Sequence, residues 1–251
     1  MTLIIGVKCS NGIVIGADSA VVQGNIRYTT DKIKKISESV VIGTAGFLDL
    51  SQKVEEIFKL KYLEGKLSNL NPHTAIEEIN NAFYQAVRND WTIAIEAIKC
   101  FGQANNLIFQ GLTALSVQNN LRLYNTWYEC RTYEITTSNP IITIGSGSTN
   151  ADSFLTFIHR VLLNKKVPTI TDGVFLTLWA LQHAILISAG DVCGPPKILT
   201  MENKDDAIKT IEMCEDDFKE TYDFIKEVEL YICDYFINRN SSKANPIPKL
   251  K

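Results

Sequence analysis

A threonine follows the initiator methionine, and its chemistry depends on whether that methionine stays. Methionine aminopeptidases remove an initiator that precedes a small residue, and threonine qualifies. The processed chain would begin at Thr2, with a hydroxyl beside its own free α-amine. Such an amine titrates near pKa ~7.7–8.0, so a useful fraction is neutral at physiological pH. It can take the Oγ proton, directly or through a water, and activate the hydroxyl without a histidine. On its own Thr2 reads better as an ordinary strand residue. What changes that reading is a set of residues further along: Asp18, the lysines Lys32, Lys34 and Lys35, and the runs Gly43-Thr44-Ala45-Gly46, Thr143-Ile144-Gly145-Ser146-Gly147-Ser148 and Ala189-Gly190-Asp191-Val192-Cys193.

Other chemistries find little support. The histidines His73, His159 and His183 lie far apart and lack ligand spacing, so structural roles are expected for them. The six cysteines are scattered without a CxxC pair, which points to reduced, mostly buried thiols in the cytoplasm rather than a metal site. Gly145-Ser146-Gly147-Ser148 precedes a helix but lacks the lysine and spacing of a phosphate-binding loop. Glu215-Asp216-Asp217 opens the last helix, where negative charge suits the N-terminal dipole. With 25 basic and 28 acidic residues, the net charge of −3 gives no electrostatic reason for a nucleic acid or an anionic membrane as partner. Nor does any apolar run reach the ~18–20 residues of a membrane span. Leu3-Ile4-Ile5 is too short, and lacks a basic segment before it, to be a signal peptide.

The elements that must position these residues follow from the hydrophobic pattern. At this length a single domain spanning residues 1–238 is expected, with 239–251 as a mobile tail. Residues 2–9 and 13–18 are β-branched runs joined by Asn11-Gly12, a hairpin signal. A second strand pair covers 31–36 and 40–44; these strands are apolar almost throughout, which implies that both faces are covered. Two helices follow. The first ends near Gly65, and the second opens at Thr74 with Glu77 as a capping box. Strands return at roughly 107–117, 121–128, 131–136 and 140–145. A third helix then places Phe154, Phe157, Ile158, Val161 and Leu162 on one face, and a fourth runs over about 172–189. A strand at 196–202 and a helix at 215–237 close the pattern. This order suits an α+β fold, a four-layer αββα sandwich in which two antiparallel sheets face each other under outer helix pairs.

The stretch from Thr2 to Asp18-Ser19 resembles the start of mature proteasome β-subunits and of the bacterial HslV peptidase, with the family spacing kept without a gap. Asp18, Lys32-Ile33, Gly43-Thr44-Ala45-Gly46, the Gly145–Ser148 turn and Ala189–Cys193 follow in the family's order, the last run closer to HslV. The resemblance covers about residues 2–200. It implies the N-terminal nucleophile hydrolase fold, with Thr2 as nucleophile and its amine as base. A neighbouring lysine would stabilise the alkoxide, Asp18 would fix that lysine, and the Gly46 N–H would serve the oxyanion. Ser146 and Asp191 would orient the amine.

Counted back from Gly46, the family's lysine falls on Lys32, although counted forward from Thr2 it needs two residues deleted in the turn after Gly24; Lys35 is the alternative, requiring one residue inserted before it and three deleted in the next hairpin. Strand alternation puts Lys34 on the face of Lys32 and Lys35 on the other. Where the proteasome pattern has a serine three residues after Asp191, this chain has Gly194, a position HslV also leaves without serine. The resemblance further implies a specificity pocket lined by Ala20, Val21, Val22, Thr44 and Leu48, suited to a medium apolar side chain.

The expected function is therefore a threonine-type endopeptidase acting on unfolded polypeptide within a homo-oligomeric ring, six- or seven-fold and stacked, without a cofactor or metal. An ATP-dependent unfoldase is the implied partner, since folded substrates could not enter. Two other readings stay open: a non-catalytic structural ring subunit, and an amidase of the same superfamily acting on a small molecule.

Overall fold

The computed structural model describes residues 2–23, 26–101, 109–188, 192–204 and 207–238. Strands β1 (Ile4–Lys8) and β2 (Gly12–Ala17) form the expected hairpin, closed where the Cys9 N–H donates to the Gly12 carbonyl at 2.9 Å. A short two-stranded sheet follows, β3 (Ala20–Gln23) with β4 (Ile26–Thr29). Then come β5 (Ile33–Ser37), β6 (Val40–Ala45), and helices α1 (Leu48–Leu63) and α2 (Pro72–Phe101). The chain continues through β7 (Gln110–Val117), β8 (Asn120–Thr126), β9 (Thr132–Ile135), β10 (Ile141–Ile144), α3 (Ser148–Leu162), α4 (Ile170–Ile187), β11 (Lys197–Lys204) and β12 (Ala207–Met213).

Two antiparallel five-stranded sheets result, with strand orders β10-β1-β2-β11-β12 and β5-β6-β7-β8-β9. Every residue of β2 and of β6 is buried, as their continuous apolar runs require of strands covered on both faces. Between the sheets lies a core that includes Ile4, Ile15, Ile33, Leu112, Leu123 and Leu199. A second core joins the other face of the β5–β9 sheet to α1 and α2 through Val54, Phe58, Ile79, Phe83 and Tyr124, with the Phe58 and Phe83 rings edge to face at 5.9 Å. The third and fourth helices cover the opposite sheet. There α4 crosses β2 so closely that a methyl group on Gly16 would sit 2.3 Å from Thr177 Cγ2. The fold is the expected four-layer αββα sandwich.

Several details depart from the sequence pattern. Asn71, not Thr74, caps α2: its Oδ1 accepts from the His73 and Thr74 N–H groups, while Thr74 Oγ1 accepts from the Asn71 N–H. The buried face of α3 is Ala151, Leu155 and Ile158, and Phe157, Val161 and Leu162 are exposed. By length and composition the 18-residue α4 is apolar enough to cross a membrane, so the chain does contain such a run. Here it packs on β1 and β2, with half of it buried. Among the described cysteines only Cys9 is buried; Cys130 and Cys193 are half-buried, and Cys214 and Cys233 exposed. The strands β3, β4 and β12 had no counterpart in the pattern.

The sandwich accounts for residues up to Met213, and Cys214 onward forms a separate compact unit. Its described part is a 3-10 turn (Glu215–Phe218) running into α5 (Lys219–Asn238). Asp217 starts it by accepting the Cys214 N–H at 2.7 Å, one use of the acidic run. The expected tail at 239–251 lies outside the described residues.

Candidate active site

Thr2 precedes β1 and is gripped by the bend between β10 and α3. Its backbone N donates to Ser146 Oγ at 3.2 Å, and its carbonyl accepts from the Gly147 N–H at 2.9 Å. The grip depends on glycine at two positions. A methyl group on Gly145 would fall 2.3 Å from the Thr2 carbonyl oxygen, and one on Gly147 would fall 3.0 Å from Leu3 Cβ and 2.8 Å from Val192 Cγ2. Gly145 also has φ +93°, a region that disfavours side chains. The Ser148 hydroxyl locks the bend by donating to the Gly145 carbonyl at 2.7 Å.

Asp18 leaves the end of β2 and turns back to the chain start. Its Oδ1 accepts from the Leu3 N–H at 2.8 Å, and both carboxylate oxygens accept from Lys32 Nζ, each at 2.8 Å. The two side chains are 0% and 4% exposed. This pair bridges the sandwich, because Lys32 enters β5 in the other sheet. Burial pushes the Lys32 ammonium below lysine's ordinary pKa, against the opposing pull of Asp18. Lys35 lies elsewhere, bonded to the Glu38 carboxylate and to the Thr210 carbonyl at 2.9 Å. Lys34 faces Asp31 and Glu55. Of the three lysines, only Lys32 is brought to the residues beside Thr2.

Gly46 follows the last residue of β6 at φ +137°, where the backbone leaves the strand before α1. Ala45 keeps that strand end close to the Thr2 bend, with its Cβ 3.3 Å from where a Gly145 methyl would be. Gln110 opens β7 opposite Ala45, and its Oε1 accepts from the Gly145 N–H at 2.9 Å. Sequence reasoning missed this residue: a glutamine within the expected strand at 107–117 carries no local signal. It also missed Gly147 as the donor to Thr2, reading the Gly-Ser-Gly run only as the turn before a helix.

Of the pocket candidates, Ala20 and Thr44 are buried, and Leu48 is 38% exposed at the start of α1. Val21 and Val22 continue β3 from Ala20, whose N–H donates to the Cys193 carbonyl at 3.0 Å. Asp191 lies outside the described residues. Gly194, at φ +85°, approaches Ser19 so closely that an added methyl would meet its Oγ at 2.5 Å. The turn thus has a packing reason for glycine. The histidines stand in other surroundings: His183 stacks on Phe154 at 4.1 Å, His159 bonds the Lys166 carbonyl, and His73 is exposed beside Glu77. Among the described residues, no group of three or more His, Cys, Asp or Glu side chains could hold a metal ion.

The arrangement therefore brings a threonine at the chain start, a buried ammonium, a serine hydroxyl on the Thr2 nitrogen and a positive-φ glycine to one end of the two sheets. In backbone structure the chain is similar to the Anbu subunit of the helical Anbu complex from Pseudomonas aeruginosa, with a TM-score of 0.74 at 16% identity, covering 99% of this chain and 100% of that one. It is also similar to Anbu, the ancestral beta-subunit, from Yersinia bercovieri, with a TM-score of 0.71 at 16% identity over 100% of both chains. For a Gly-1 mutant of Anbu from Hyphomicrobium sp. strain MC1 the TM-score is 0.72 at 15% identity, covering 98% of this chain and 99% of that one. No curated protein matches the chain in sequence. The proteasome subunit family model, however, matches residues 2–185, from the candidate nucleophile to the last turn of α4, and the chain belongs to that family.

Proposed function

We propose that the chain is a threonine-type endopeptidase acting within a homo-oligomeric assembly, with Thr2 as its nucleophile once Met1 is removed. The observation that carries this reading is the buried Lys32–Asp18 pair anchored on the Leu3 N–H. Burying two charges seldom stabilises a fold more than apolar residues of similar volume would. A buried ammonium held within one residue of a candidate nucleophile has a chemical reason to be there.

In the proposed reaction, the Thr2 α-amine takes the Oγ proton and Oγ attacks the scissile carbonyl carbon. The Lys32 ammonium stabilises the forming alkoxide and, by like-charge repulsion, keeps the amine's pKa down. The Gly46 N–H donates to the carbonyl oxygen as it becomes negative. Collapse of the tetrahedral intermediate breaks the C–N bond, and the leaving amine takes the proton held by the α-amine. Water then attacks the Thr2 ester, with the amine again as base. Ser146 and Asp191 orient that amine. Ala20, Val21, Val22, Thr44 and Leu48 receive a medium apolar side chain before the cut.

The assembly is proposed from the family, whose members enclose their sites in rings, and from the helical Anbu complex of P. aeruginosa. Head-to-tail contacts give a ring when the rotation closes and a helix when it does not. Unfolded polypeptide is the proposed substrate and a separate ATP-dependent unfoldase the proposed partner. The free cysteines fit a reducing compartment such as the cytoplasm.

Intact-mass analysis of natively expressed protein, with a β-lactone as probe, tests the reading. Loss of Met1 and labelling of Thr2 that disappears in Thr2→Ala are expected. Retained Met1 would remove the base and leave a non-catalytic subunit in its place. Labelling that survives Thr2→Ala would overturn the assignment.

A further inference from the structure

The candidate site is split between the two sheets. Thr2, Asp18 and Ser146 belong to the β10-β1-β2 side, whereas Lys32 and Gly46 flank β5 and β6 on the other. The distance between nucleophile and oxyanion donor is therefore a distance between sheets, and rate falls steeply when such a distance drifts. Lys32–Asp18 is one tie across the gap. Gln110 makes another, at the end of the site where the oxyanion forms. Its backbone pairs with Ala45, the residue before Gly46, and its side chain accepts the Gly145 N–H at 2.9 Å. The next two residues hold Thr2, Ser146 at its nitrogen and Gly147 at its carbonyl. Three steps thus connect the oxyanion strand to the nucleophile's backbone: Ala45 to Gln110, Gln110 to Gly145, and the bend to Thr2.

We infer that Gln110 is a positioning residue of the peptidase, keeping the bend that holds Thr2 in register with Gly46. The inference rests on the proposed peptidase function. Gln110 itself reaches neither substrate nor reacting atoms; it acts through Gly145 and Ser146. The requirement is for an acceptor at this point. A backbone N–H is the donor, so the amide oxygen must face it. A carboxylate of the same length can accept the same bond, whereas a thioether of similar length makes a poor acceptor.

Kinetics of Gln110→Met and Gln110→Glu, on a fluorogenic peptide with wild type and Thr2→Ala alongside, test the inference. Gln110→Met is expected to lower kcat about 10-fold with KM within about 2-fold, as for loss of one orienting hydrogen bond. Gln110→Glu should keep kcat within about 3-fold of wild type, because its carboxylate still accepts. Exchange of the Gly145 amide hydrogen, followed in the same proteins, should speed up in Gln110→Met and stay protected in Gln110→Glu. An unimpaired Gln110→Met, or a Gln110→Glu as impaired as the methionine variant, overturns the positioning role while leaving the peptidase reading intact. A wild-type protein that neither cleaves the peptide nor takes a β-lactone refutes the peptidase reading itself, and Gln110's kinetic role with it.

Discussion

Replacing Lys32 with methionine keeps much of the side chain's length and removes its charge. Asp18 would remain buried, with the Leu3 N–H at 2.8 Å as a donor. Breaking a buried pair by removing one partner costs about 3–5 kcal/mol. The Leu3 N–H and the option of protonating Asp18 favour the lower end, about 3 kcal/mol at neutral pH. That is within the ~5–15 kcal/mol of a typical domain, so the variant should still fold. Lys32→Met combined with Asp18→Asn removes both charges, and the asparagine carbonyl can still accept from Leu3. Its stability should return to within about 1 kcal/mol of wild type. Activity should not return: without the ammonium, both variants lose the charge facing the alkoxide, a loss of at least ~10²-fold. Urea unfolding gives the stabilities and β-lactone labelling of Thr2 gives the reactivity. A double variant as unstable as Lys32→Met would show that the pair is not the source of the cost. A double variant that labels at the wild-type rate would show that the ammonium has no part in the chemistry.

Three further outcomes follow from the same geometry. Burial holds the Lys32 pKa below its ordinary 10.5, so between the two values the unfolded chain binds more protons and stability should rise with pH. Peptide cleavage should fall across that same window as the ammonium is lost; a wild-type stability that instead declines there, relative to the Lys32→Met/Asp18→Asn variant, would contradict the burial argument. Lys35→Ala removes a partly exposed contact with Glu38 and should change stability by no more than about 1 kcal/mol and kcat not at all, measured by urea unfolding and peptide hydrolysis. Gly147→Ala should cost about 1–3 kcal/mol from crowding against Val192 and Leu3 and slow β-lactone labelling at least ~10-fold by displacing Thr2, with the thermal midpoint and labelling rate as readouts.

Legibility from sequence divided along a physical line. Residues that sit together because the chain is locally forced were readable. Asn11-Gly12 dictates the hairpin that brings Asp18 back to Leu3. The choice between Lys32 and Lys35 could be weighted by the family's spacing, yet the ion partners that separate them, Asp18 and Glu38, come from tertiary placement. Helix faces failed where outward apolar residues competed with inward ones. On α3, Phe157, Val161 and Leu162 follow helical spacing as well as Ala151, Leu155 and Ile158 do, and only packing tells which stripe is inside. The strand β12 was hidden because its alternation exposes most of its residues, with Thr210 buried at its centre. Gln110 was hidden for another reason: its role exists only when two sheets close upon each other.

That closure bears on when the site becomes competent. With Met1 in place the Thr2 nitrogen is an amide, and it already donates to Ser146 Oγ. The Thr2 carbonyl is already held by Gly147, and the next amide by Asp18. Removing Met1 would convert the same nitrogen into an amine that can keep donating to Ser146 while offering its lone pair to the Thr2 hydroxyl. On the proposed mechanism the fold would build the position first, and processing would alter the chemistry of one atom within it. A site of this kind should show the same backbone protection at Leu3 and Gly147 before and after Met1 is lost, and should differ only in its reaction with an electrophile.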